Sequence, residues 1–246
     1  MASTSLPSAQ PIRLASNVTL QPPLSRRGRG PGLLIFLPSH YLPGTQTSQK
    51  SLDPEPLQKW AEEGYCVVEI RTGQLNSSTF EDTAAWAEVD IVEKSLEALK
   101  NSLQFDTNTV GVIVYQDADI SKYSFNNIAS IKAAVLFTAV GEAEWGVPVM
   151  VHCSGASPTT IADGVTAHFY NSVKTGNFVL PGHANFDVSA AGVAHTRSLG
   201  FLKNHLGGPN FDLEAIWDEH TLFEFGERDV QKTMGTMVQE PYVNHE

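Results

Sequence analysis

The stretch Gly32-Leu-Leu-Ile-Phe-Leu-Pro38 is apolar at every position and closed by a proline. A strand with one wetted face alternates polar and apolar residues. A strand buried on both faces does not, and such strands belong to parallel sheets covered by helices. Tyr65–Ile70, Val110–Tyr115, Ala133–Thr138 and Val147–Cys153 read the same way, with Thr166–Tyr170 as a last short strand. Helical patterns separate them. Asp53-Pro54 opens a helix running to Glu63 and stopped by Gly64. Trp86, Val89, Val92, Leu96, Leu99 and Leu103 form an apolar stripe that predicts a helix over Asp82–Leu103. A third helix is expected over Ser189–His205, with Ala191, Ala194, Ser198, Phe201 and Leu202 inward and Gly207-Gly208-Pro209 ending it. About six strands alternating with helices make a doubly wound, mostly parallel α/β sheet.

At 246 residues the chain fits one large domain with appendages, and 41% hydrophobic residues supply a core. Residues 1–32 are rich in Ser, Pro, Arg and Gly and are expected to form a flexible arm. Ser25-Arg-Arg-Gly-Arg29 reads there as a solvated linker or a small basic patch. Residues 33–208 form the α/β domain. Residues 209–246 form a helical extension, acid-rich and aromatic over Phe211–Phe225. Val230, Met234, Met237 and Val238 mark a second amphipathic helix there. Such short helices need a partner, either the main domain or a second copy, so a homodimer through the C-terminal helices is a candidate contact.

Lys and Arg total 16 against 27 Asp and Glu, a net charge of -11, which disfavours nucleic acid and anionic membrane as partners. No segment approaches the ~20 apolar residues of a membrane helix. Cys66 and Cys153 each sit in an apolar run, which makes no disulfide framework and points to a reducing, cytoplasmic home. The Asn17-Val-Thr19 sequon is discounted, because no signal-length apolar run accompanies it. Neither a phosphate-binding glycine loop nor a dinucleotide fingerprint occurs, and Glu219-His220 lacks the paired histidine of a zinc helix. No cofactor and no metal are expected.

The chemistry centres on Gly111-Val-Ile-Val-Tyr-Gln-Asp-Ala-Asp119. In α/β-hydrolases such a strand turns sharply into a helix at a Gly-x-Ser/Cys-x-Gly elbow. Here there is no Ser, no Cys and no flanking glycine, and Gln116 stands at the expected apex. Ser121–Asn127 is short and polar where a full helix would follow.

Gly182-His183, followed by Ala190-Ala191-x-x-Ala194-x-x-Arg197-Ser-Leu-x-Phe-Leu-x-x-His205-Leu-Gly, resembles the end of dienelactone hydrolases. Pro38 and Trp60-Ala-x-x-Gly64-Tyr fit their front half. Thr19–Arg27, Asp53–Gly64 and Asp212–His220 resemble fungal proteins labelled carboxymethylenebutenolidase, so the likeness spans 19–245. In those proteins a SnoaL/NTF2-like domain continues past Pro241–His245, and the extension here would be its truncated start. The resemblance implies a dienelactone-hydrolase-like fold and a Cys-His-Asp triad. The His position is His183. The Cys position falls on Gln116 and the Asp position near Ser157, so one of three survives. An amide cannot form an acyl-enzyme, and a serine cannot charge-stabilise an imidazole.

His183, Gln116 and Asp117 are therefore the candidate catalytic residues. Ser39, His40, Tyr41, Tyr115, Cys153 and Ser157 are candidate substrate-binding residues, with an ordinary polar loop the rival reading for 39–41. Cys153 is a candidate displaced nucleophile or a buried core thiol. His152 is expected on the opposite face of its strand. Three functions stay open: a non-hydrolytic enzyme of secondary metabolism acting on a lactone or polyketide-like molecule by cyclisation, isomerisation, elimination or a pericyclic step; a hydrolase with a relocated nucleophile; and a non-catalytic binding or dimerisation protein.

Overall fold

The computed structural model describes residues 9–41, 53–73, 86–87, 90–123, 125, 127–138, 145–155, 161 and 163–237. Eight strands form one sheet: β1 (Ile12–Ala15), β2 (Val18–Gln21), β3 (Gly30–Pro38), β4 (Cys66–Thr72), β5 (Phe105–Val114), β6 (Ile131–Leu136), β7 (Val149–Ser154) and β8 (Val165–Tyr170). Their spatial order is β1-β2-β4-β3-β5-β6-β7-β8. The β1–β2 and β2–β4 pairs are antiparallel, and every pair from β4 to β8 is parallel. This is the mostly parallel, doubly wound sheet expected from the apolar runs.

The two faces of β3 explain its composition. Leu33, Ile35 and Leu37 face one core with Trp60 and Ala61 of α1 (Pro56–Glu62) and Ala191, Ala194 and Leu202 of α3 (Val188–Leu206). Leu34 and Phe36 face the other core with Ile91, Leu96 and Leu99 of α2 (Ile91–Asn101). No position of the strand meets water, so none is polar. Gly111 of β5 serves the first core: a Cβ there would lie 2.8 Å from Leu33 and 2.9 Å from Leu202, so a larger residue would hold α3 off the sheet. Asp187 caps α3 by accepting from the Ala190 N–H at 2.8 Å. Gly207, at φ 75°, closes it with its N–H on the Lys203 carbonyl.

Three sequence expectations need correction. Residues 12–21 are not a flexible arm. They form a hairpin whose second strand pairs with β4, and Ala15, Val18 and Leu20 are buried. The sheet thus has eight strands rather than six, and the α/β unit begins before residue 33. Two four-residue strands are too short to show alternation, and polar neighbours swamp them in any composition window. The basic stretch also has partners, since Arg26 pairs with Glu219 and Arg27 with Asp106 at 2.6 Å.

The second correction concerns the Trp86 stripe. The helix starts at Ile91, and residues 86–87 are not helical. Asn17, itself buried, accepts from the Trp86 N–H at 2.9 Å and donates to its carbonyl at 3.3 Å. That pairing takes the groups a helix would need. At the other end Ser102 is extended and Leu103 stands 94% exposed, outside the stripe it was placed in. Residues 82–85, 88 and 89 lie outside the described residues.

The third concerns the extension. It holds α4 (Leu213–Thr221), a π-turn at Leu222–Glu227 and α5 (Val230–Met234). These pack chiefly on one another, with His220 bonded to Thr236 at 2.6 Å and Lys232 to Glu227 at 2.6 Å. Phe211 and Pro209 seat the start of the extension against Gly64. Leu213, Trp217, Leu222, Phe225 and Val230 remain exposed. Helix α5 ends at Met234, so Met237 lies beyond the helix expected to include it, and Val238 lies outside the described residues. Among the described residues, no helix is long and apolar enough to cross a membrane.

Candidate active site at the carboxyl edge of the sheet

In an open α/β sheet the binding crevice lies where the strand order reverses, beyond the carboxyl ends of the flanking strands. The chain runs from β3 outward to β4, then crosses back over β3 to β5. The reversal therefore falls between β3 and β5. Their carboxyl ends lead into Ser39-His40-Tyr41 and Tyr115-Gln116-Asp117.

Tyr115 continues the β5 ladder, its N–H on the Phe36 carbonyl at 3.0 Å. Its ring stacks on Phe137 and its hydroxyl accepts from Trp60 Nε1 at 3.1 Å. Burial pushes this phenol well above its ordinary pKa. Tyr115 is thus a buried post at the foot of the site.

The turn that follows departs from the sequence expectation. The residue with left-handed backbone is Asp117, at φ 67°, and not Gln116. Asp is among the few residues that tolerate this region, so a carboxylate stands at the apex without a glycine. The Ala118 N–H closes the turn on the Tyr115 carbonyl at 3.2 Å. Gln116 instead reaches sideways and accepts from the Gly176 N–H. Gly176 has no room for a side chain: a Cβ would lie 2.5 Å from the Phe137 carbonyl oxygen and 2.6 Å from Gln116 Oε1. That close approach sets the neighbouring Asn177, whose Nδ2 donates to Asp117 Oδ2 at 3.0 Å. Asn177 is 6% exposed, and its Oδ1 is a buried acceptor with no partner among the described residues.

The segment from Gly176 to Asp187 also carries His183. The His183 N–H donates to the Leu180 carbonyl at 2.9 Å, and its own carbonyl accepts from Phe186 at 3.0 Å. Its Nδ1 accepts from the Asn185 N–H at 3.1 Å. Partial burial lowers the imidazole pKa, the nearby His40 adds to that, and the Asp117 carboxylate opposes it. The Asp117 carboxylate and His40 thus both bear on the His183 ring.

Tyr41 supports this group from below. Its hydroxyl donates to Glu55 at 2.5 Å and accepts from the Gly182 N–H at 3.1 Å, fixing the residue before His183. Burial, then the Glu55 carboxylate, raises its pKa far above the ordinary phenol value. Arg71 bonds the Tyr41 carbonyl and Glu69, both at 2.7 Å. Ser39 is half-buried, and its N–H is used by the Thr72 carbonyl at 2.8 Å. Asp119 turns away and bonds Ser121, which lowers its pKa.

Of the remaining candidates, Cys153 is buried on β7 in the α2-side core, the sheet face opposite Tyr41 and Tyr115. It is not brought to His183. Ser157 lies outside the described residues. The residues that sequence reading missed are Gly176, Asn177 and Glu55. Gly176-Asn177 is a turn pair just before an apolar run, which was the available signal.

A cavity of about 230 Å³ opens at the elbow, lined by Gln116, Asp117, Ala118 and Thr138 against apolar walls that include Trp145 and Val151. Two larger hollows, of about 510 and 720 Å³, lie at α2 with the β1–β2 hairpin and at the amino ends of β6 and β7. Neither contains a residue of the carboxyl edge; the small cavity touches that edge through Gln116 and Asp117, while Val114, Leu136, Trp145, Val149 and Val151 of its wall belong to the α2-side core with Cys153, and His183 is not among its lining residues. The small cavity is below the usual span of ligand pockets and suits a small molecule. Among the described residues no His, Cys, Asp and Glu side chains group as a metal site would.

A separate buried cluster lies under α3. His152 is fully buried, with Nε2 on Ser198 Oγ and Nδ1 on the Tyr170 hydroxyl, both at 2.9 Å. Ser198 gives its one proton to the Ala194 carbonyl at 2.8 Å, so it accepts from His152 Nε2–H. Tyr170 then donates to Nδ1 while accepting from Arg197 at 3.3 Å. Burial, with His168 and Arg197 adding, pushes His152 down to about 3.

No family model matches this sequence, and neither does any curated protein. Among solved structures the chain is similar to a dienelactone hydrolase-like promiscuous phosphotriesterase from metagenomic libraries, at 12% identity and a TM-score of 0.47. That alignment covers 77% of this chain and 92% of the other. A structure named m3DLH gives 12% identity, a TM-score of 0.44 and the same coverage. Pyrococcus horikoshii acylaminoacyl peptidase gives 14% and 0.46, covering 80% of this chain and 41% of that one. The α/β-hydrolase-type architecture stands on the strand order and pairing above. At these identities the likenesses say nothing about chemistry.

Proposed function

We propose that this protein is a small-molecule enzyme that works by proton transfer and positioning at the carboxyl edge of the sheet, without a serine or cysteine nucleophile. One observation carries the reading. The apex of the elbow is the Asp117 carboxylate, held by Asn177 of the segment that also carries His183. A carboxylate and an imidazole at one edge supply a base and an acid, and general acid–base catalysis contributes roughly 10²–10⁴-fold to rate. A carboxylate and an imidazole at the switch-point edge of the sheet suit a small oxygenated substrate of lactone or polyketide type. Cyclisation, isomerisation or elimination fits this equipment, because each needs a proton moved and a carbonyl polarised. The position of Cys153 in the opposite core speaks against a relocated thiol nucleophile.

The test is covalent labelling of the full chain with a fluorophosphonate and with iodoacetamide, read by mass, beside 4-nitrophenyl ester hydrolysis. The reading expects no adduct on Ser39 or Cys153. It also expects any residual esterase rate to survive Ser39→Ala and Cys153→Ala. An esterase activity abolished by either substitution would overturn it.

A further inference from the structure

Resting on that reading, we propose a division of labour: Asp117 is the base, and His183 is a neutral hydrogen-bond donor acting through Nε2. The substrate class is then a carbonyl compound with an acidic C–H beside the carbonyl.

The geometry around the imidazole carries this. A ring nitrogen that accepts a hydrogen bond bears no proton. His183 Nδ1 accepts from the backbone N–H of Asn185, which has no other role to play than donor. The neutral ring therefore carries its proton on Nε2. A nucleophile–His–Asp triad needs the opposite tautomer, with Nδ1–H on the acid and a bare Nε2 to take a proton. His183 is held in the form that cannot activate a hydroxyl or thiol at Nε2 but can donate to a developing oxyanion. Protonating the ring would set Nδ1–H against the Asn185 N–H. The His183 Nε2 meets no partner among the described residues.

Asp117 complements this. Its Oδ2 is anchored by Asn177, and the residue stands at the apex of the turn after β5, at the switch-point edge. The step is written simply. Asp117 takes the proton from the carbon next to the carbonyl. The C–H electron pair becomes the enolate double bond, and the carbonyl oxygen takes the charge and the Nε2–H hydrogen bond. Return of the proton to another carbon gives an isomer. Departure of a group from the β-carbon with its electron pair gives an elimination. Nothing is oxidised or reduced.

The probe is 4-nitrophenolate, a stable planar mimic of an enolate oxyanion, titrated into the full chain by absorbance. In the enolate complex Asp117 carries the proton, so Asp117→Asn copies that state and removes a repelling charge. Asp117→Asn should bind the phenolate at least roughly tenfold tighter than the wild type. In the Asp117→Asn background His183→Ala should lose roughly tenfold, and His183→Gln, which keeps an N–H donor, should recover part of it. No saturable binding by Asp117→Asn, weaker binding than wild type, or indifference to His183→Ala would each overturn the assignment. The broader reading is tested separately by the labelling experiment, so either can fail without the other.

Discussion

His152 and His183 are built from the same sequence-level material and used in opposite ways. Both rings are pinned in the Nε2–H form by an immovable donor or acceptor. His152 has both nitrogens consumed, by Tyr170 and Ser198, and is sealed beneath α3. His183 has one nitrogen consumed and the other without a partner among the described residues. The difference teaches that a fixed tautomer is a packing device when the second nitrogen is satisfied, and a chemical one when it is not. A buried polar relay is costly to break because every orphaned member pays its desolvation cost.

The largest expected effect separates the two rings by stability. His152→Ala strands the Tyr170 and Ser198 hydroxyls and leaves a cavity, and should cost roughly 3 kcal/mol in urea unfolding. His183→Ala should cost less than about 1 kcal/mol. Similar losses for both would dissolve the distinction.

Acid sharpens it next. The folded value of His152 is about 3, far below the ~6.5 of an unfolded histidine. The depressed folded pKa means the unfolded chain binds the proton first. The stabilisation is present above pH 6.5 and is lost as pH falls from there towards 3, by roughly 1 kcal/mol per unit. His183 is lowered in the same direction and adds to the same window. Unfolding midpoints measured down the pH scale should flatten most in His152→Gln and only slightly in His183→Gln.

Gly176→Ala tests the strut that holds Asn177 and Asp117. A Cβ 2.5 Å from the Phe137 carbonyl forces the loop outward, at about 1–3 kcal/mol. It should also displace Asn177 and Asp117, so phenolate binding in the Asp117→Asn background falls. The smallest effect belongs to Arg26→Ala. Its pair with Glu219 is part-exposed, and its loss should change stability by under about 1 kcal/mol and leave both histidines untouched.

The core of this fold was legible because the runs Leu33–Leu37, Cys66–Ile70, Val110–Val114, Ala133–Leu136 and Val149–Cys153 are buried on both faces. Helix α3 was legible because its small residues recur at helical spacing and a glycine ends it. The β1–β2 hairpin was hidden because four-residue strands carry no period of their own. The start of α2 was hidden because Asn17, 69 residues away, takes the Trp86 backbone. At the site, His183 and Asp117 could be named from the sequence, yet the apex was placed one residue early. Nothing in Tyr115-Gln116-Asp117 says which residue takes positive φ when no glycine is present. Gly176 and Asn177 act on partners sixty residues away, so their roles exist only in the folded chain.

The most direct test of the account is a long-range ¹⁵N–¹H spectrum of the imidazoles of the full chain near neutral pH, with His152 and His183 assigned by substitution. The account predicts both rings neutral with the proton on Nε2, and His183 gaining a second proton below its ordinary range. A His183 ring with its proton on Nδ1, or charged at pH 7, would contradict it and return this histidine to the role of a triad base.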